Sequence, residues 1–188
     1  EVVVEEIKRS LDNPASRVVR KIFSNCFAGS AAARPIIGSE ESVRGFSRER
    51  VVGFHKKWYQ PENITVLAVG SFDEEEFCET LAKDFGQAPS GKQPARKQPV
   101  CSFPEHGLTD ILRADYKQPR LELVFPAPAL EDSDSVYLDL VAFALGDGDS
   151  SRLNRRLRDE LNYVSAIGSS VYSPKFGGIF SISVYPLL

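Results

Sequence analysis

The sequence predicts an α+β fold whose helices and strands are unevenly distributed along the chain. Apolar residues recur at helical spacing through most of the first half, whereas short segments typical of strands dominate the second half. Residues 87–99 lie between the halves and combine several prolines and basic residues with few apolar side chains. That composition is typical of a linker, so we expect two folded parts joined there.

Helices are predicted through most of the first part. In residues 1–12, Val3, Val4, Ile7 and Leu11 form one apolar face at helical spacing. A further helix is predicted over residues 14–29, and a short one begins at Ser39. Two more are predicted over residues 47–58 and 73–85. Ser39, Ser47 and Asp73 are good caps for the last three helices. Residues 64–70 are rich in β-branched side chains and predict a buried strand.

The second part alternates between strands and helices. Strands are predicted over residues 109–117, 120–125, 164–172 and 178–185. Helices are predicted over residues 132–145 and 151–161, with a glycine-containing loop at 146–150 between them.

The chain starts at Glu1, contains no Met, and opens directly with an amphipathic helix. We therefore expect it to be an internal piece of a longer protein. The last residues, Pro186 to Leu188, are largely apolar and include no residue typical of the end of a folded segment. We therefore expect the longer protein to continue beyond this end as well.

Composition limits which classes of partner and which cellular compartments are expected. The chain has 23 Lys and Arg against 26 Asp and Glu, a net charge of -3, which gives no reason to expect nucleic acid or an anionic membrane as a partner. No apolar run approaches the ~20 residues of a membrane-spanning helix. The three cysteines are far apart and form no metal-binding or disulfide framework, which leaves cytoplasm and bacterial periplasm both open.

Four segments occur in the order known from one family: VVVEEI at 2–7, PIIGSEES at 35–42, FHKKWYQPEN at 54–63 before a predicted strand, and LGDGDSSRL at 145–153 followed by LRDEL at 157–161. With them the chain resembles the M16 metallopeptidases, which include insulin-degrading enzyme, pitrilysin and mitochondrial processing peptidase. Asp147 and Asp149 depart from the family pattern but keep its glycine-containing loop.

The resemblance implies a fold of two homologous α+β domains that close around a peptide chamber. Each is a LuxS/MPP-like metallohydrolase domain, in which mainly antiparallel sheets are flanked by helices. On this plan residues 1–86 are the C-terminal half of the first domain, residues 87–99 are the Pro-rich interdomain linker, and residues 100–188 are the N-terminal part of the second domain.

The resemblance also implies zinc chemistry. Family members hold Zn²⁺ with His-x-x-Glu-His, whose Glu is the general base, and with a distant Glu as third ligand. His55 and His106 are the only histidines of this chain, and neither lies in such a motif. Glu6 matches the third ligand; the alternative is an exposed helical Glu that is either solvated or paired with Arg9. We expect zinc in the intact protein and no firmly held zinc in this chain alone.

Arg158 and Tyr163 are the candidate substrate-binding residues. In active relatives an Arg of the Leu-Arg segment and a Tyr seven positions later reach toward bound peptide, and a guanidinium suits a peptide carbonyl or an oxyanion. Here Ser165 holds the position of that Tyr, whereas Tyr163 lies two residues earlier and would face the same side of a strand. Arg156 and Tyr163 have the full seven-residue spacing, but using them shifts the Leu-Arg segment by two residues from the family pattern. The alternative for Arg158 is an exposed residue of a charged helix.

We therefore expect part of a zinc-dependent endopeptidase that cleaves peptides or small unfolded proteins in a chamber between two homologous domains. This chain alone, without His-x-x-Glu-His, is expected to be inactive. The alternative is a non-catalytic M16 homologue that serves as a substrate-binding or scaffold subunit, and a third reading is an unrelated α/β binding module. Expected partners are peptide substrates and either a paired M16 subunit or a second copy of the chain.

Overall fold

A computed structural model describes residues 1–86, 102–113 and 115–187, together with Gly91, Ala95 and Pro99. The chain divides into two compact units, Glu1–Glu40 with Gln98–Leu188, and Glu41–Lys97. Most of the predicted linker, residues 87–99, lies outside the described residues. The predicted division into two half-domains therefore stays a prediction.

The described residues form helices in both units and strands in the first unit. The helices are α1 (Val2–Asp12), α2 (Pro14–Cys26), α3 (Glu40–Arg44), α4 (Arg48–Trp58), α5 (Glu74–Phe85) and α6 (Asp134–Gly146), with a π-helix at Asn154–Glu160. The strands are β1 (Leu121–Ala127), β2 (Val164–Tyr172) and β3 (Gly178–Pro186). In the described part of the chain, no helix is both long and apolar enough to cross a bilayer.

The first two helices meet at a single residue. Asn13 follows α1, and its Oδ1 accepts hydrogen bonds from the backbone N–H groups of Ala15 (2.9 Å) and Ser16 (3.3 Å) at the start of α2. Arg20 of α2 donates a hydrogen bond to Ser10 of α1 at 3.0 Å. Both predicted helices are confirmed, and the second ends at Cys26, before the predicted Gly29.

The three strands form an antiparallel sheet in the order β1-β3-β2. This arrangement confirms three predicted strands and the α+β class. Alternate residues of a strand face opposite sides, and Val124 of β1 and Ile179 of β3 pack with Phe27, which is fully buried after α2. On the other side, Ser169 of β2 donates a hydrogen bond to a carbonyl of α6. The sheet therefore lies between α2 and α6.

The second unit contains the helices that begin at predicted caps. Ser47 accepts a hydrogen bond from the N–H of Arg50 at the start of α4. Asp73 accepts hydrogen bonds from the N–H groups of Glu75 and Glu76 at the start of α5. These contacts confirm the predicted helix starts.

Two predicted strands were wrong. Residues 64–70 form no strand, and Leu67 and Val69 are 87% and 91% exposed. A strand is stabilised by hydrogen bonds to a neighbour, and no described residue pairs with this segment. The described residues of the predicted strand at 109–117 are likewise irregular, so β1 has no partner on that side among the described residues.

Candidate functional site

Glu6 lies on the exposed side of α1. Val4 and Ile7 are buried on the opposite side, which fixes the orientation of the helix. The neighbouring Glu5 accepts a hydrogen bond from Lys8 at 2.9 Å. No hydrogen bond or ion pair joins Glu6 to another described residue, so the alternative pairing with Arg9 is not formed there. Its carboxylate oxygens are available to a ligand.

The residues present fit one position of a zinc site but do not form a site. A catalytic zinc needs about three protein ligands. Within the described ranges, no three His, Cys, Asp or Glu side chains lie together as metal ligands would. His55 stacks on Tyr59 with ring centroids 4.7 Å apart, and His106 is exposed. Further ligands would have to come from outside the described residues.

The loop after α6 is held against β2 by a close backbone approach. A Cβ at Gly146 would lie 2.6 Å from both the backbone N and the Oγ of Ser169, so only glycine fits there. Ser169 Oγ donates to the carbonyl of Ala142 at 2.8 Å. Gly148, with φ of 87°, then turns the chain back. The glycine-containing loop therefore starts from a fixed position on the sheet.

Asn154 joins this loop to the sheet. Its buried amide lies 3.1 Å from the carbonyl oxygen of Gly148, 3.1 Å from that of Ile167 in β2, and 2.9 Å from the hydroxyl of Ser151. Ser151 is buried as well. Hydrogen bonds of a buried amide are costly to lose, so this residue fixes the path of the loop over residues 146–151.

Arg158 projects from the π-helix and is paired with two carboxylates. Its Nη1 donates to Asp149 Oδ1 at 2.8 Å and its Nε donates to Asp159 Oδ1 at 2.8 Å. The hydrogen bonds to Asp159 and then Asp149 raise the pKa of Arg158 above its ordinary value, and the bond from Arg158 lowers the pKa of Asp159. The guanidinium is therefore charged but already engaged.

Tyr163 and Ser165 flank the start of β2 and differ in their surroundings. Tyr163 is 63% exposed, and no described hydrogen bond or ring contact joins its side chain to Arg158. Ser165 is the extra residue of a β-bulge; its hydroxyl donates to the carbonyl of Tyr185 at 3.1 Å and accepts from Gln118 at 2.6 Å. Strict alternation does not hold across a bulge, so Tyr163 is not placed on the side of Ser165 by strand geometry alone.

A cleft of ≈ 620 Å³ opens beside the loop. Its lining includes Ser150, Arg152, Arg155 and Arg156. Arg156 pairs with Glu160 at 2.7 Å, whereas Arg152 and Arg155 make no hydrogen bond or ion pair with the described residues. This wall of the cleft therefore carries unpaired positive charge.

Three features of this region were not predicted from the sequence: the π-helix, the Asn154 bonds and the Asp149–Arg158 pair. π-Helices are rare and are frequently found at functional sites. A short amide three residues after Ser151, directly behind a glycine-containing loop, was the one available signal for the role of Asn154. The two other features depend on the backbone path, which side-chain periodicity does not report.

Comparison with known proteins supports the same family. The sequence profile described as "Peptidase M16 inactive domain" matches residues 45–186. A protein of Rickettsia bellii named as a zinc protease is 28% identical over 184 residues, covering 97% of this chain and 43% of that protein. One of Mycobacterium tuberculosis (strain H37Rv), also named as a zinc protease, is 30% identical, covering 98% of this chain and 42% of that protein. The chain thus spans less than half the length of these relatives.

Solved structures show the same fold. A protease from Helicobacter pylori superposes with a TM-score of 0.79 at 24% identity, covering 99% of this chain and 46% of that chain. The first half of the periplasmic protease PqqL from Escherichia coli has a TM-score of 0.75 at 18% identity, covering 99% of this chain and 41% of that chain. Together with the profile match, these similarities show that the chain belongs to the M16 peptidase family.

Proposed function

We propose that this chain is part of a zinc-dependent endopeptidase, to which it contributes one metal ligand and part of the surface that binds peptide. The observation that carries the proposal is the position of Glu6. Its carboxylate is exposed, makes no bond to a described residue, and extends from a helix whose other side is buried. A carboxylate oriented in this way is suited to ligate a metal held mainly by residues outside this chain.

In this proposal residues 1–86 belong to a first domain and residues 100–188 to a second, and peptides or small unfolded proteins bind in a chamber between them. The basic cleft beside Arg152 and Arg155 supports the proposal, because it offers unpaired cationic groups to a peptide. Arg158, as a residue of the second domain, would bind the peptide. Tyr163 lies close to it in the sequence and is exposed. Bound zinc would act as a Lewis acid that polarises the peptide carbonyl.

The proposed compartment is the bacterial cytoplasm or periplasm. The similarity in fold to the periplasmic protease PqqL is compatible with the periplasm. A second M16 subunit or a second copy of the chain is the proposed protein partner.

Glu6→Gln in the complete protein tests the proposal. The amide keeps the size of the side chain but removes the anionic ligand, so zinc occupancy and peptidase activity are expected to fall together. Removing even a group that supports a ligand costs about 10–100-fold in metal affinity, so a loss of at least about tenfold is expected. Zinc content after dialysis and hydrolysis of a fluorogenic peptide are the measurements.

Glu5→Gln is the matched control. Glu5 is adjacent, has the same chemistry and is paired with Lys8 on the surface. It should leave zinc content and activity within about twofold of wild type, because exposed pairs contribute little. Equal zinc content and activity in Glu6→Gln and wild type would refute the ligand assignment.

A non-catalytic M16 subunit is the second candidate, and one observation favours it. Ser165 replaces the family Tyr, and its hydroxyl is taken up by Gln118 and Tyr185. A subunit of this kind would bind peptide without cleaving it. Peptide binding in the absence of zinc and of hydrolysis, unaffected by Glu6→Gln, would decide for this candidate.

A further inference from the structure

Arg158 already binds two carboxylates of its own chain, and these two differ in how firmly they are held. Asp159 is the next residue on the same π-helix, so its backbone stays beside Arg158, and its side chain is 49% exposed. Asp149 lies nine positions earlier in the loop after α6, and its side chain is 93% exposed. The replaceable partner is therefore Asp149.

The loop geometry makes the displacement of Asp149 inexpensive. The preceding Gly148 has φ of 87° and open space around it, while the buried Asn154 holds the carbonyl of Gly148 in place. The Asp149 side chain can therefore rotate into water while the backbone of the loop keeps its path. An exposed ion pair of this kind stabilises by little, so water or another carboxylate can compete with it.

We propose that Asp149 occupies a carboxylate subsite at Arg158 and acts as an intramolecular competitor for the carboxylate of a bound peptide. The inference rests on the proposed role of Arg158 in peptide binding and adds the chemical class of the group bound there. A ligand carboxylate would replace Asp149 on the same Nη1 edge and leave the Asp159 bond intact. The hydrogen bonds to Asp159 and Asp149 raise the pKa of Arg158, so its charge is present wherever the ligand carboxylate is ionised.

Asp149→Asn in the complete protein tests the inference, with Asp147→Asn as matched control. Both residues lie in the same loop and both changes remove one negative charge, but Asp147 makes no side-chain bond to a described residue. Three dansyl-labelled peptides of one length serve as probes, because this label carries no carboxylate: one with glutamates and an amidated C-terminus, one with glutamines and a free C-terminus, and one with glutamines and an amidated C-terminus. Kd is measured by fluorescence anisotropy.

Asp149→Asn is expected to tighten binding of a carboxylate-bearing peptide by about two- to fivefold, the effect of freeing an exposed pair. Tighter binding of the glutamate peptide would show that the subsite takes a side-chain carboxylate. Tighter binding of the peptide with the free C-terminus would show that it takes the C-terminal carboxylate. The neutral peptide should gain less, Asp147→Asn should leave all three Kd values unchanged, and adding Arg158→Gln to Asp149→Asn should abolish the gain.

The two failures can be told apart. If Arg158→Gln weakens peptide binding while Asp149→Asn changes no Kd, the competitor role is refuted and the proposed role of Arg158 stands. If Arg158→Gln itself leaves every Kd unchanged, the role of Arg158 in peptide binding is refuted and the inference falls with it. An equal gain in Asp149→Asn and Asp147→Asn would show a general charge effect and would also refute the subsite.

Discussion

A single buried amide, that of Asn154, determines where the loop after α6 lies. It contacts a carbonyl of the loop, a carbonyl of β2 and the hydroxyl of Ser151. Gly148 and Ser151 both lie in the loop, where the Ser151 N–H also donates to the Gly148 carbonyl at 3.2 Å, whereas the Ile167 carbonyl belongs to β2. The placement of Asp149 opposite Arg158 depends on this residue, although Asn154 contacts neither.

Asn154→Ala should destabilise the first unit by about 2 kcal/mol, because the Ile167 carbonyl loses its buried Asn154 donor. The Gly148 carbonyl keeps the bond from the Ser151 N–H. Urea unfolding followed by circular dichroism measures the change. Arg155→Ala, on the exposed side of the same helix, should change stability by less than about 0.5 kcal/mol. Equal midpoints for Asn154→Ala and wild type would contradict the bridging role.

The sequence indicated candidate charged residues but not their partners. Glu6 and Arg158 were proposed as site residues because they match family motif positions, whereas the Asp149–Arg158 pair depends on how the loop folds back over nine residues. The bulge at Ser165 shows the same limit, since one inserted residue changes which side chains share a face without altering the apolar pattern.

Among the elements, α6 and β2 are the pair that packs most tightly at the site. The backbone of Gly146 meets Ser169 and Gly168 with no room for a Cβ atom. Gly146→Ala would push the end of α6 away from β2, and overpacking of this kind costs about 1–3 kcal/mol. Urea unfolding measures the change.

Gly107→Ala is the control for that change. A Cβ at Gly107 would meet nothing within 4 Å, so its effect should stay within about 0.5 kcal/mol. A Gly146→Ala protein as stable as the control would show that α6 can shift without cost.

Elements were predicted well where their own side chains decide the structure, and poorly where a partner decides it. The predicted caps at Ser47 and Asp73 lie next to the helices that they start, so local sequence suffices. The segment at 64–70 has strand-forming residues but no described neighbour to pair with. A strand needs two segments, and only one of them can be found in a local pattern.

At the scale of the whole molecule, the described residues leave much apolar surface uncovered. Leu123 and Phe125 of β1 are 41% and 47% exposed on the side of the sheet that α6 covers only in part, and Leu140 and Phe143 are exposed on the outside of α6. Large exposed apolar patches and unpaired strand edges favour association. The chain thus has surfaces suited to a partner.

Residues 1–188 on their own are therefore expected to self-associate in a concentration-dependent way. Light scattering coupled to size-exclusion chromatography measures the mass over a range of concentrations. Replacing Leu140 and Phe143 by Lys should shift the mass toward the monomer, because charged side chains oppose apolar contact. A monodisperse monomer at every concentration would contradict the expectation.

Asn13 makes α1 and α2 a rigid elbow, because the residue that ends one helix also caps the next. The second helix is fixed in turn to the sheet, because the Phe23 ring lies 5.4 Å from that of Tyr172 and Cys26 is buried in one cluster with Ile179. A displacement of the sheet would thus be passed along α2 and around the elbow to α1, with no loop to absorb it. The direction in which Glu6 points is set by a sheet far along the chain, and any hinge that opens or closes a site at Glu6 has to lie outside this elbow.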